Sequence, residues 1–131
     1  MLLVEYKGNY MSAGIWAKNE RVLKIPNAIF DVIYHEYMEI FEQHPQYEDL
    51  LDNAINSFRM ASSGTYLNID TALPNYEVAL AFFNIAKKAQ ENIENIPTIP
   101  ESSRPVYRKF YEIIRDRARE LAIIENKHFV F

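Results

Sequence analysis

The side chains best placed to do chemistry fall between residues 31 and 42, where Asp31, His35, Glu36, Glu39 and Glu42 share one expected helix. Imidazole and carboxylate at i, i+4 spacing stand one above the other on a helix face, the arrangement by which histidine-rich zinc motifs hold a metal. The run His35-Glu36-Tyr37-Met38-Glu39 departs from that pattern, because a glutamate stands where the second histidine is needed. Di-iron bundles need Glu-x-x-His pairs on two helices. The residues three beyond Glu36, Glu39 and Glu42 are Glu39, Glu42 and Pro45. No metal or other cofactor is therefore expected, and the cluster reads as a solvated acidic face.

Nucleophilic chemistry has little to work with. The chain holds no cysteine, so there is no thiolate nucleophile, thiolate metal site or disulfide framework. Ser62-Ser63-Gly64 lacks the Gly-x-Ser-x-Gly turn that presents a serine nucleophile. Three scattered glycines cannot build a phosphate-cradling loop. A small cofactor-free enzyme, with His35 and Glu39 as an acid/base pair between helices, stays open because catalytic groups converge in space without a sequence motif.

Charge is the more informative signal. The formal net charge is −4, yet residues 26–80 carry nine acidic side chains against Arg59 alone. Such a segment repels nucleic acid and steers a basic partner toward itself. Tyr34, Tyr37, Tyr47, Tyr66 and Tyr76 lie in the same segment, and tyrosine combines contact area with a hydrogen-bonding tip. Together these features point to a small acidic binding protein: an immunity- or antitoxin-type inhibitor that neutralises a basic, nuclease-like toxin domain by stoichiometric binding. The expected contact residues are Asp31, Glu36, Glu39, Glu42, Glu48, Asp49 and Asp52, with Tyr47 as an anchor. A basic stripe, Arg104, Arg108, Lys109, Arg115, Arg117 and Arg119, interleaves with Glu101, Glu112, Asp116 and Glu120. It reads as a solvated helix laced with ion pairs rather than a nucleic-acid surface, or as a cover for the acidic helices.

The elements that must position these residues follow from periodicity. Residues 1–25 read as a small antiparallel β-sheet: Leu2–Tyr6, a Gly8-Asn9 turn, Tyr10–Trp16, a turn at Ala17–Glu20, then Arg21–Ile25, closed by Pro26. Four helices follow, at about 28–43, 46–61, 75–95 and 103–125, so the expected fold class is α+β, predominantly α, with a four-helix core in one domain. Asn27, Asn75 and Ser102 or Ser103 are the expected caps, and Pro45 and Pro105 fit first helical turns. The stripes are Phe30, Ile33, Tyr34, Tyr37, Met38 and Phe41 in the first helix, and Tyr47, Leu50, Leu51, Ala54, Ile55 and Phe58 in the second. Residues 65–73 read as a loop with a short extended piece at Tyr66–Ile69.

At 131 residues and 49% hydrophobic composition the chain can bury a full core. No apolar run reaches the ~20 residues needed to span a bilayer, and the start lacks the features of a secretory leader. The expectation is a cytoplasmic protein, monomeric or homodimeric. A third functional reading, a homodimeric adaptor, would use the apolar tail Phe129–Phe131, which otherwise packs on the body as a strand against the sheet.

Overall fold

The computed structural model describes residues 12–129. The expected strand Leu2–Tyr6 and the Gly8-Asn9 turn lie outside the described residues, as do Val130 and Phe131. The architecture is α+β and predominantly α, with five α-helices and a three-stranded sheet among the described residues.

The hairpin forms as the alternation requires. β1 (Ser12–Ala17) and β2 (Glu20–Pro26) pair antiparallel, Ala13 opposite Ile25 and Ile15 opposite Leu23. Ala13, Ile15 and Ile25 are fully buried, while Trp16, Val22 and Lys24 are exposed. The turn residues Lys18 and Asn19 have φ of 52° and 64°, the mirror-image geometry whose twist suits a two-residue hairpin. The Lys18 backbone N–H donates to Asp70 Oδ2 at 2.6 Å, which ties the turn to the body of the protein.

The sheet is not wholly antiparallel. β3 (Tyr66–Asn68) pairs parallel with β1, setting Leu67 beside Ile15, and it gives the strand order β2-β1-β3. Gly64, at φ 91°, turns the chain into this strand, and the Gly14 N–H then donates to the Thr65 carbonyl at 3.1 Å. A parallel neighbour must arrive by a crossover, here the helices between Pro26 and Gly64, so local patterning at residues 1–25 carried no sign of it.

α1 (Asn27–Glu42) buries Phe30, Ile33 and Tyr37 as expected, half-buries Tyr34, Met38 and Phe41, and buries Ile40 besides. Asn27 is not its cap: Pro26 holds the capping position at φ −55°, ψ 142°, and Asn27 is the first helical residue. The expected second helix is divided. Pro45–Tyr47 is a 3₁₀ turn, further turns follow, and α2 proper is Asp52–Ala61. The Glu48 N–H reaches Pro45 O and the Asp52 N–H reaches Asp49 O, bonds over three residues rather than four. The inward and outward faces nevertheless hold: Leu51, Ala54, Ile55 and Phe58 are buried, and Glu48, Asp49, Asp52, Asn53 and Asn56 are exposed.

A short α3 (Ile69–Ala72) interrupts the expected loop, capped by Asn68 Oδ1 accepting from the Thr71 N–H at 3.2 Å. α4 (Tyr76–Glu94) is capped by Asn75, whose Oδ1 accepts from the Val78 N–H at 3.0 Å. Before α5 (Arg104–Ile124), Ser103 occupies the cap position, but its hydroxyl donates back to Pro100 O at 2.9 Å within the 3₁₀ turn Glu101–Ser103. The tail forms no strand through Phe129. It lies on α4 instead, with the Phe129 ring 5.3 Å from Phe83 and the Tyr76 hydroxyl donating to His128 O at 3.2 Å.

α1, α2, α4 and α5 meet at one aromatic centre. Phe58 lies 5.4 Å from Phe30, 5.5 Å from Tyr37, 5.6 Å from Phe82 and 6.3 Å from Phe110, ring centre to ring centre. Each such pair adds about 0.5–1.5 kcal/mol beyond the area it buries. This centre holds the outer faces of α1 and α2, and with them the acidic side chains, in fixed relation.

Candidate functional site

The expected contact residues do not line one groove. Glu42, Glu48 and Asp52 line a single groove of about 340 Å³ at the corner where α1 turns through the 3₁₀ segment into α2. His44, Phe41, Asn56 and Arg59 line it too. Asp31 and Glu36 line a different groove, toward the start of α1, while Tyr47 lines a third. Glu39 and Asp49 are exposed and line none of these three.

The corner is well determined. His44 Nδ1 donates to the Ile40 carbonyl at 2.8 Å, closing the end of α1, and its ring stacks on Tyr47 at 5.5 Å and 10°. The Tyr47 hydroxyl accepts from Asn84 Nδ2 at 3.3 Å. Tyr47 is therefore a half-buried strut between the corner and α4 rather than a fully projecting anchor. Arg59, the one cation lining the groove, is turned to its neighbours: Nε donates to the Tyr34 hydroxyl at 3.3 Å and a terminal nitrogen to Asn56 Oδ1 at 3.2 Å. Arg59, His44 and Asn56 were not among the expected contact residues. Asp52, Asn56 and Arg59 recur at i, i+4 and i+7, a spacing that would have placed them along one edge of α2.

Among the described residues, none of Asp31, Glu36, Glu39, Glu42, Glu48, Asp49 or Asp52 takes part in an ion pair. Arginines of α5 do not cover them. Arg104 and Arg108 pair with Glu94, Arg104 also with Glu101, and Arg117 with Asp70 and Glu120. Glu120 is also held by Lys18 at 2.9 Å, and its carboxyl is lowered by that hydrogen bond first and by Arg117 after it. Glu36 is half-buried, and its carboxyl is raised above the usual range by burial first and then by Glu39, against a smaller opposing pull from His35.

His35 and Glu39, the acid/base pair of the enzyme reading, share no hydrogen bond among the described residues, and His35 opens instead onto the groove that holds Glu36. No group of three or more His, Asp or Glu side chains among the described residues is disposed to hold a metal ion. No helix among them is long and apolar enough to cross a membrane. Comparison with protein families, with curated proteins and with solved structures finds no match to this chain.

Proposed function

We propose that this chain is a small acidic binding protein, an immunity- or antitoxin-type inhibitor that neutralises a basic, nuclease-like toxin domain by stoichiometric contact. The observation that carries the reading is the groove at the α1–α2 corner, where Glu42, Glu48 and Asp52 face one cavity with no ion-pair partner among the described residues. Carboxylates without internal partners keep their field available to an incoming cation, which speeds encounter and penalises partners of the wrong sign. Arginine and lysine side chains that hold phosphate in a nuclease are the groups such a groove accepts. Exposed Glu39 and Asp49 extend the same field along the flanking surface.

The test is recovery of the tagged chain from its own host under gentle conditions, followed by native mass spectrometry. The expected result is a one-to-one complex with a basic protein, weakened as salt is raised. Charge reversal at Glu39, Glu42 and Asp52 together should slow association tenfold or more while leaving the circular-dichroism spectrum unchanged. Binding that ignores those reversals and ignores salt would overturn the proposed surface.

A further inference from the structure

A second groove, of about 600 Å³, runs between the first half of α1 and the connector at residues 96–100, with the start of α5 as its end wall. Its size falls within the range of small-molecule sites, roughly 300–1,000 Å³. Ile29 and Val32 of α1, Ile96 and Ile99 of the connector, and Tyr107 of α5 supply an apolar lining. The charged side chains at its wall are Asp31 and Glu36, both acidic, with the His35 imidazole beside them and no lysine or arginine. Glu36 is half-buried and makes no hydrogen bond or ion pair among the described residues.

The connector wall is fixed in advance. Arg104 is buried behind it and donates to the carbonyls of Ile96 at 2.8 Å and Ile99 at 3.3 Å, with a further bond to Glu94 O at 3.3 Å. A groove whose walls are held before a ligand arrives has little ordering cost left to meet on binding. A partly desolvated carboxylate at the edge of an apolar groove is complementary to an apolar body ending in a cation.

We propose that this groove binds a small organic amine, an alkyl- or arylammonium whose chain lies against Val32, Ile99 and Tyr107 and whose ammonium meets Glu36. The site is independent of the corner groove, since Glu42, Glu48 and Asp52 do not line it. Asp31, at the exposed rim, adds long-range attraction, and Glu36 makes the direct contact.

The experiment titrates the full chain with hexylammonium, followed by amide chemical-shift changes, with hexan-1-ol and hexanoate as matched controls. Saturable shifts centred on Val32, Ile99 and Tyr107 are expected, with both controls bound at least about tenfold more weakly, the scale of a charge-assisted contact. Glu36→Gln should lower hexylammonium affinity by about tenfold, and Thr98→Trp, at an exposed connector position lining the groove, should abolish it. Asp31→Asn, on the exposed face, supplies a second charge variant should Glu36→Gln disturb the fold, and its loss should be smaller than tenfold but measurable. Equal affinity for hexanol, shifts centred on another groove, no saturable binding, or charge variants that change nothing would each overturn the proposal. None of these variants touches Glu42, Glu48 or Asp52, so failure here leaves the corner-groove reading standing, and the reverse.

Discussion

Replacing Arg104 by methionine keeps the length and apolar stem of the side chain while deleting its fork, and the structure sets the cost. Arg104 is 8% exposed, and its guanidinium donates to the carbonyl of Glu94 at the end of α4 and to the connector carbonyls of Ile96 and Ile99, at 3.3, 2.8 and 3.3 Å. Its Nε also lies 3.0 Å from Glu101 Oε1, a charge contact without hydrogen-bond geometry, and a terminal nitrogen lies 3.7 Å from Glu94 Oε1. Bonds from a charged donor contribute about 1.5–3 kcal/mol each when nothing replaces them. Two of the three are long, and water can reach the exposed residues 94 and 95, so the sum falls well below three full bonds. We expect a loss of about 3 kcal/mol, which for a chain of 131 residues lowers Tm by about 10 °C. Arg104→Lys restores the charge but not the fork and should recover less than half of the loss. Urea unfolding measures both, with the slope unchanged because the surface exposed on unfolding is the same. A loss under about 1 kcal/mol for the methionine variant would refute the claim that Arg104 closes the α4–α5 connector.

Glu94 links the same region to pH. Arg108 holds its carboxylate through two bonds of 2.9 and 3.0 Å, and this pulls the carboxyl down to about 2. A lowered folded-state value means the stabilisation is whole above about 4.5 and fades as pH falls toward 2. Because Glu94 is partly exposed, solvent screening reduces the effect to about 1 kcal/mol. Glu94→Gln should therefore flatten the acid limb of a stability–pH curve by that amount, and an unchanged acid limb would contradict the assignment. Phe58→Ala removes the ring around which Phe30, Tyr37, Phe82 and Phe110 gather, and a loss of about 3–5 kcal/mol is expected by calorimetry. A loss near 1 kcal/mol would mean the cluster collapses to fill the space.

Much of the fold was legible because it rests on local periodicity. The stripes through Phe30, Ile33 and Tyr37, and through Leu51, Ala54, Ile55 and Phe58, are buried as their spacing implies, and Asn75 caps the helix it precedes. What escaped depends on partners far away in the chain. The parallel pairing of Leu67 with Ile15 is decided by a crossover, not by either segment's pattern. Ser103 has the right identity for a cap, yet its hydroxyl is claimed by Pro100 O in a tighter turn. Arg104 reads as one arginine in a solvated stripe, and only the return of the connector past it turns that residue into a buried clamp. For the site, residue type was legible and grouping was not. Glu42 and Asp31 share a helix face, but the chain's corner at His44 joins Glu42 to Glu48 and Asp52, while the connector joins Asp31 to an apolar groove.

The ion pairs of the fold are unevenly distributed. Several cations of α5 and of the hairpin turn are matched within the fold: Arg104 and Arg108 on Glu94, Arg117 on Asp70 and Glu120, Lys18 on Glu120. These pairs fasten connector, short helix and hairpin to the helical body, so their charges serve architecture. The carboxylates of α1 and the corner are attached to an equally well-packed body, yet none of those named above has an ion-pair partner among the described residues. The three carboxylates that share the corner groove repel one another and lower the stability of the compact state. That penalty is small for exposed groups, and Arg59, which lines the same groove, offsets part of it. On the reading proposed above, a cationic partner seated at the corner would relieve what remains of it.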